Sequence, residues 1–352
     1  MRLKVKILIN VTKLLYFDAE TNQLNLGNFP ETGKTINIEN PELLSFFKLL
    51  VQPTEYDQAV KLLQNLNDCE KEEAEDAINY LMSQKILIDD EEYNSLTKDN
   101  FLNREFLYFY MLSNKNIIKR FDKYRYKNIT ILGVGGIGSV VAEMLVRAGF
   151  LNLTLVDSDL VESSNLIRQI GYNYQNIGQP KLVCISEHLK GINPNVNINI
   201  QNLFINNSDE LEPIIKNSDF VVCTFDKPFR IVRPMVNYVC VKYEKPVLFS
   251  GFAEHVGMVG PFVIPKKTAC LKCIEKEHLS PINNIKNTPS YGPLCGVIGN
   301  LVADEVMNYF LKFKKTTLQN KTLMLNLYNH KNKIVKWQKK ENCSICGGNY
   351  DC

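Results

Sequence analysis

Residues 128–157 read NITILGVGGIGSVVAEMLVRAGFLNLTLVD. The apolar run Ile129-Thr130-Ile131-Leu132 is too short for a helix of its own and β-branched enough for a buried parallel strand. Gly133-Val134-Gly135-Gly136-Ile137-Gly138 makes a glycine turn. Residues 139–148 follow with Val140, Val141, Met144 and Leu145 at helical spacing, and Gly149 stops that helix. A second buried strand, Leu153-Thr154-Leu155-Val156-Asp157, ends in an acid. Strand, glycine turn, helix and strand form a unit whose backbone N–H groups and helix N-terminus favour a nucleotide phosphate, with Asp157 about 20 residues on as a ribose ligand. Taken alone, the fingerprint fits a nicotinamide dehydrogenase as well as an ATP enzyme.

The residues that follow discriminate. Asp157-Ser158-Asp159-Leu160-Val161-Glu162-Ser163-Ser164-Asn165-Leu166-Ile167-Arg168-Gln169, then Gly178-Gln179-Pro180-Lys181, closely resemble the adenylation domain of the ubiquitin-activating-enzyme-like (ThiF/MoeB/HesA) superfamily. That superfamily includes the bacterial adenylyltransferases that activate sulfur-carrier proteins. The resemblance runs from about residue 104 to residue 346. It implies a doubly wound, Rossmann-like α/β adenylation domain that uses ATP and Mg²⁺. It also implies that Asn165, Arg168 and Lys181 line the triphosphate, that Gln169 completes the motif and that Asp159 joins Asp157 in holding the nucleotide. Arg168 offers a fork of donors and Lys181 a point charge.

Composition sets the bounds. At 352 residues, 45% of them hydrophobic, the chain can bury one large domain with a smaller neighbour. A net charge of +3 points to no nucleic-acid surface. The absence of an apolar run of about 18 residues, and the early alternation of Met1-Arg2-Leu3-Lys4 with charge, speak against a membrane span or secretory signal. A cytoplasmic enzyme without nucleic-acid or membrane partners is expected.

Four of the ten cysteines form two spaced pairs, Cys270-x-x-Cys273 and Cys343-x-x-Cys346. Each turn presents two thiolates to one ion, so the two pairs read as a closed structural zinc site that ties the tail to the middle of the domain. Cys69, Cys184, Cys223, Cys240 and Cys295 stand mostly in apolar contexts and read as buried thiols.

Residues 1–95 differ in kind. Leu3, Val5, Ile7 and Ile9 alternate along a first strand, residues 14–17 make a second, and Thr21-Asn22 signals a turn. Helices are expected over 43–51, after Asn40-Pro41-Glu42, and over 55–66 and 70–83, with a short strand at 86–88. This is an α+β module of winged-helix type. The third helix is acidic, with Glu70, Glu72, Glu73, Glu75 and Asp76, so DNA is not its partner. An exposed sheet edge could take up an extended peptide by strand addition, and microcin C-type peptide adenylyltransferases, which this chain resembles, carry a peptide clamp in that place. The acidic run 89–100 reads as a linker to an adenylation domain over 100–352. The helix expected over 101–112 contains Arg104 in a context resembling the family's Arg-x-x-Leu helix, which implies a homodimer whose partner site receives Arg104.

Further on, strands are expected over 196–200, 219–224 and 245–250, a crossing loop over 274–292, and a long helix from Gly292. Asp226 follows the strand at 219–224 and, by resemblance, holds Mg²⁺. Asp226-Lys227-Pro228-Phe229 resembles the Asp-x-Pro-Phe of the microcin C-type enzymes. The crossing loop contains no cysteine, so a thioester intermediate is not expected. Of the histidines, His255 lies nearest the expected substrate site, with His188, His278 and His330 elsewhere.

The resemblance implies ATP-dependent activation of the C-terminal carboxylate of a short ribosomal peptide, with Arg104, Arg168, Lys181 and Asp226 catalytic. If the microcin C likeness extends to the product, the peptide ends in Asn and becomes a peptidyl-AMP phosphoramidate. The alternative is an adenylyltransferase for a sulfur-carrier or ubiquitin-like protein ending in Gly.

Overall fold

The computed structural model describes residues 5–12, 14–26, 34–113, 115–228, 230–274, 289–315 and 317–347. The chain divides into two compact units, Met1–Lys119 and Arg120–Cys352.

The first unit runs β1 (Lys6–Ile9), β2 (Leu15–Asp18), β3 (Gln23–Leu26), β4 (Lys34–Asn37), α1 (Leu43–Leu49), β5 (Thr54–Glu55), α2 (Tyr56–Asn67), α3 (Lys71–Ser83), β6 (Leu87–Asp89), α4 (Asp90–Thr97) and α5 (Asn103–Ser113). β1 pairs antiparallel with β5 on one side and β6 on the other, while β2, β3 and β4 form a separate antiparallel meander. Asn22 turns the β2–β3 hairpin at a φ of 52°, a conformation that its short amide tolerates. Ile7, Leu8 and Ile9 are all buried, so β1 is covered on both faces. Phe46, Leu50, Val60, Leu63, Ile78 and Leu87 pack with Ile7 and Ile9 as the core.

The acidic run expected as a linker is instead helical. Asp89 caps α4 by accepting from the N–H groups of Glu91 (2.7 Å) and Glu92 (3.3 Å), three acids in the first turn suit the helix dipole, and Leu96 is buried.

After α6 (Ile118–Tyr124), the second unit runs β7 (Asn128–Leu132), α7 (Gly138–Arg147), β8 (Asn152–Asp157), α8 (Lys181–Ile192), β9 (Asn197–Asn202), α9 (Ser208–Lys216), β10 (Phe220–Cys223) and α10 (Val232–Lys242). It continues with β11 (Val247–Ala253), β12 (Val256–Val263), α11 (Leu271–Ile274), α12 (Gly292–Leu311), β13 (Lys321–Asn326) and β14 (Lys331–Lys336). One eight-stranded sheet has the order β14-β13-β12-β11-β10-β7-β8-β9. Strands from β9 to β11 are parallel and the rest antiparallel. The order of the chain reverses at β7. Right-handed crossovers therefore put α7 and α8 on one face and α9 and α10 on the other, the doubly wound arrangement, with a crevice at the carboxyl ends of β7 and its neighbours. Ile129, Ile131 and Leu132 have no exposed surface, as their apolar run requires.

The antiparallel β13–β14 hairpin extends the sheet beyond what the sequence announces. Most of the expected crossing loop, residues 275–288, lies outside the described residues, as does Phe229. No helix among the described residues is long and apolar enough to cross a membrane.

Candidate active site

Packing within the chain requires three of the four glycines in the turn after β7. Gly133 has a φ of +94°, and a Cβ there would lie 2.9 Å from Thr224 Oγ1. A Cβ on Gly138 would fall 1.9 Å from the Gly133 carbonyl oxygen, and one on Gly136 would meet Cys295 Sγ at 3.0 Å. Gly135 differs, because the nearest atom to its Cβ position is Gln169 Nε2 at 3.9 Å. An added methyl would there be in ordinary contact with the protein, so close approach by a ligand is what a bare backbone at Gly135 serves.

Side chains from three directions pin the turn. The Val134 N–H donates to Asp157 Oδ2 at 2.8 Å, and the Tyr172 hydroxyl donates to the Val134 carbonyl at 2.9 Å. Thr224 Oγ1 donates to the carbonyls of Leu132 (3.1 Å) and Gly133 (2.9 Å). Burial pushes the Tyr172 hydroxyl well above its usual range, which keeps it a donor. Asp157 is 6% exposed, and its Oδ1 accepts from the Asp159 N–H at 2.9 Å. Each carboxylate oxygen has further lone-pair capacity, so this carboxylate can shape the turn and still face a ribose.

Lys181 opens α8 with its side chain buried, and its ammonium donates to Asp159 Oδ2 at 2.8 Å. Asn165 is buried and caps its own turn, accepting from the Glu162 N–H at 3.0 Å. Arg168 donates from one nitrogen to the Ser164 carbonyl at 2.8 Å, while its Cγ lies against Gly136. Gln169 is buried, and its Oε1 has no hydrogen-bond partner among the described residues. Such an orphaned acceptor beside Gly135 is a place for a donor from outside the chain. Asp226 is exposed, just past the end of β10.

The residues expected around the nucleotide thus meet at the carboxyl ends of β7 and β8, with Asp226 at the neighbouring β10. Arg104 belongs to the first unit, where it is exposed on α5. Sequence reasoning missed Tyr172, Thr224 and Arg233. Arg233, in the first turn of α10, donates to the Ser250 carbonyl and stacks over Phe249, with its guanidinium against Gly251 at the same sheet edge. No spacing rule singles these three out, since their partners are backbone carbonyls distant in sequence.

The four paired cysteines come together as expected. Cys270 Sγ lies 4.0 Å from that of Cys273 and 3.6 Å from that of Cys343, and Cys273 Sγ lies 3.4 Å from that of Cys346. A tetrahedral ion with zinc–sulfur bonds of about 2.3 Å needs sulfurs about 3.8 Å apart, so the set fits zinc. Although burial opposes it, the N–H groups of Ile345 and Cys346 hold the Cys343 thiol down to about 7, in the direction of a ligating thiolate. The buried Asn237 on α10 accepts from the Leu271 N–H at 2.8 Å and so fixes the first cysteine turn from behind.

A family model described as the ThiF family matches residues 113–345. The adenylyltransferase and sulfurtransferase MOCS3 of Caenorhabditis briggsae is 29% identical over 222 residues, covering 62% of this chain and 54% of that protein. The molybdopterin-synthase adenylyltransferase of Escherichia coli (strain K12) is 28% identical over 219 residues, 62% of this chain and 86% of the relative. The chain spans about half the length of the MOCS3 relatives it matches. Among solved structures, E. coli MccB with AMPCPP and MccA superposes with a TM-score of 0.81 at 22% identity, over 97% of this chain and 100% of that one. At that identity the likeness establishes the fold.

Proposed function

The chain belongs to the ThiF family, and on that premise we propose that it is an ATP-dependent adenylyltransferase acting on the C-terminal carboxylate of a short ribosomal peptide. The observation that carries this reading is the row of groups along one sheet edge: Asp157 at β8, the glycine turn at β7 and Asp226 at β10, with Lys181 and Arg168 beside them. In this reading the N–H groups of the turn and of the start of α7 hold phosphate oxygens, and Lys181 and Arg168 spread over the triphosphate the charge that builds up. Asp226 is the carboxylate for Mg²⁺, which when bound neutralises the departing pyrophosphate. The substrate carboxylate attacks the α-phosphorus, the bond from that phosphorus to the α–β bridging oxygen breaks, and pyrophosphate leaves.

The first unit is the peptide-binding module in this proposal. It has two small antiparallel sheets with short edge strands such as β2 and β6, which suit strand addition. Full-length likeness to MccB, solved with MccA, supports a peptide substrate. A peptide ending in Asn could then close on its own adenylate through its side-chain amide nitrogen, releasing AMP; the succinimide nitrogen would attack the α-phosphorus of a second ATP, releasing pyrophosphate, and addition of water would open the ring to give the phosphoramidate. Arg104 would complete the site of a partner subunit in a homodimer.

One observation favours a second reading: curated relatives carry the names of sulfur-carrier and molybdopterin-synthase adenylyltransferases. Incubation with ATP and either short peptides ending in Asn or a carrier protein ending in Gly-Gly, followed by mass spectrometry, separates the two. AMP attached to the peptide is expected. AMP or AMP-derived activation confined to the carrier would replace the first reading by the second.

A further inference from the structure

Arg233 is a cation at the carboxyl edge of the sheet that the fold leaves without a counter-charge. Its guanidinium donates to the Ser250 carbonyl and lies over the Phe249 ring, 5.7 Å from the centroid. A Cβ on Gly251 would stand 3.5 Å from Nη2, so the bare backbone there leaves room in front of the fork. Arg233 is half-buried, pairs with no carboxylate among the described residues, and its Nε has no hydrogen-bond partner among them. A charge drawn partly out of water costs free energy unless an opposite charge meets it. An anion from outside the chain would meet that need, and a planar fork suits a carboxylate.

The register of the sheet places this cation relative to the glycine turn. Leu132 pairs with Cys223, and Cys223 with Phe249, so Gly133, Thr224 and Ser250 form the next row across β7, β10 and β11. With strands about 4.8 Å apart, Ser250 stands roughly 10 Å from Gly133 at the same level. Burial pushes the Cys223 thiol up; the charge of Arg233 opposes that shift and the charge of Asp226 adds to it, so both groups stand near the end of β10.

The cations divide accordingly. Arg168 and Lys181 follow β8 on one side of the glycine turn, and Arg233 lies on the other side, beyond β10. In the adenylation reaction an anionic carboxylate must approach an anionic triphosphate, and the two repel. A cation on the side away from the triphosphate's own partners offsets that repulsion and fixes the direction of approach. A carboxylate bridging guanidinium and phosphorus, about 3 Å from each, fits within the span between β11 and the turn.

We propose that Arg233 binds the substrate carboxylate and orients it for attack. The proposal rests on the adenylyltransferase reading above and adds the residue that receives the nucleophile. One carboxylate oxygen is held by the guanidinium while the other forms the bond to the α-phosphorus. The bond to the α–β bridging oxygen breaks, pyrophosphate carries away the electron pair, and no proton moves.

The test compares two synthetic peptides ending in Asn, one with a free terminal carboxylate and one amidated there, binding to the full chain with Mg²⁺ and an α,β-methylene analogue of ATP. A carrier protein ending in Gly-Gly and its amidated form are put through the same comparison. Calorimetry on the wild type is expected to show a preference for the free carboxylate of about tenfold or more, the scale of a hydrogen bond between charged groups. Arg233→Gln is expected to abolish that preference and to lower kcat/KM for the carboxylate substrate in ATP–pyrophosphate exchange at least tenfold, with affinity for the ATP analogue alone within about twofold of wild type. Arg233→Lys keeps the charge without the fork, is expected to fall between the two, and carries the test should the glutamine variant not fold. A wild-type preference that survives unchanged in the variants, or a wild type that catalyses exchange yet ignores amidation, would overturn the role of Arg233 and leave adenylation standing. Loss of affinity for the ATP analogue in parallel with the peptide would make Arg233 a structural tie and overturn the proposal too. Absence of exchange by the wild type with both substrates would overturn the adenylyltransferase reading itself.

Discussion

Replacing Asp157 by Asn changes no volume, yet the hydrogen bonding predicts that it is not conservative. Both carboxylate oxygens accept from backbone N–H groups, Oδ2 from Val134 at 2.8 Å and Oδ1 from Asp159 at 2.9 Å, and the residue is 6% exposed. An asparagine has one acceptor oxygen and one NH₂, so one of the two N–H groups must face a donor. If that is Val134, whose side chain is wholly buried, the loss falls on the glycine turn itself. A hydrogen bond to a charged group contributes about 1.5–3 kcal/mol. For a domain of this size each kcal/mol is worth about 2–4 °C, so Asp157→Asn should lower the Tm by about 3–12 °C. Calorimetry without nucleotide measures this, and a Tm within about 1 °C of wild type would refute the pinning role. Tyr172→Phe removes the bond to the carbonyl of the same residue, at about 1 kcal/mol. Because both side chains hold the Val134 unit, the double variant should lose less than the sum of the two.

Two further outcomes follow from the site. Purified protein should hold about one zinc per chain, and Cys343→Ser should lose the metal together with stability, since binding by four thiolates is coupled to folding; a fully folded, metal-free wild type would contradict this. Asp226→Ala should reduce Mg²⁺-dependent adenylation about 100-fold or more with an unchanged Tm, and activity within a few-fold of wild type would remove Asp226 from the chemistry.

The parts of this molecule legible in the sequence were those whose partners lie nearby in the chain. The β7–α7–β8 unit declares itself because strand, turn and helix each follow from local spacing, and Gly133 and Gly138 need to be glycine for reasons internal to one turn. The cysteine pairs announce a cluster because two Cys-x-x-Cys turns supply the four thiolates of a tetrahedral metal site. The same logic explains the misses. α4 carries one buried residue, Leu96, and is held by the Asp89 cap and by packing on α5, β1 and β6, so no apolar periodicity marked it. β14 is almost wholly exposed and lysine-rich, an edge strand whose sequence resembles a solvated loop. Its spacing from the glycine turn marks Asp157 as a ribose ligand. Spacing cannot show that it also turns to Val134, and Tyr172, which completes that clamp, lies 38 residues from its partner.

In the proposed function, the groups along the carboxyl edge of the sheet adenylate a carboxylate. Isotope exchange between pyrophosphate and ATP tests it most directly, because exchange requires reversible attack of the substrate on the α-phosphorus. With Mg²⁺ and a short peptide ending in Asn, label should enter ATP, and Lys181→Ala should abolish that incorporation without unfolding the protein. Incorporation that ignores the carboxylate substrate, or persists at the wild-type rate in Lys181→Ala, would contradict the proposed function.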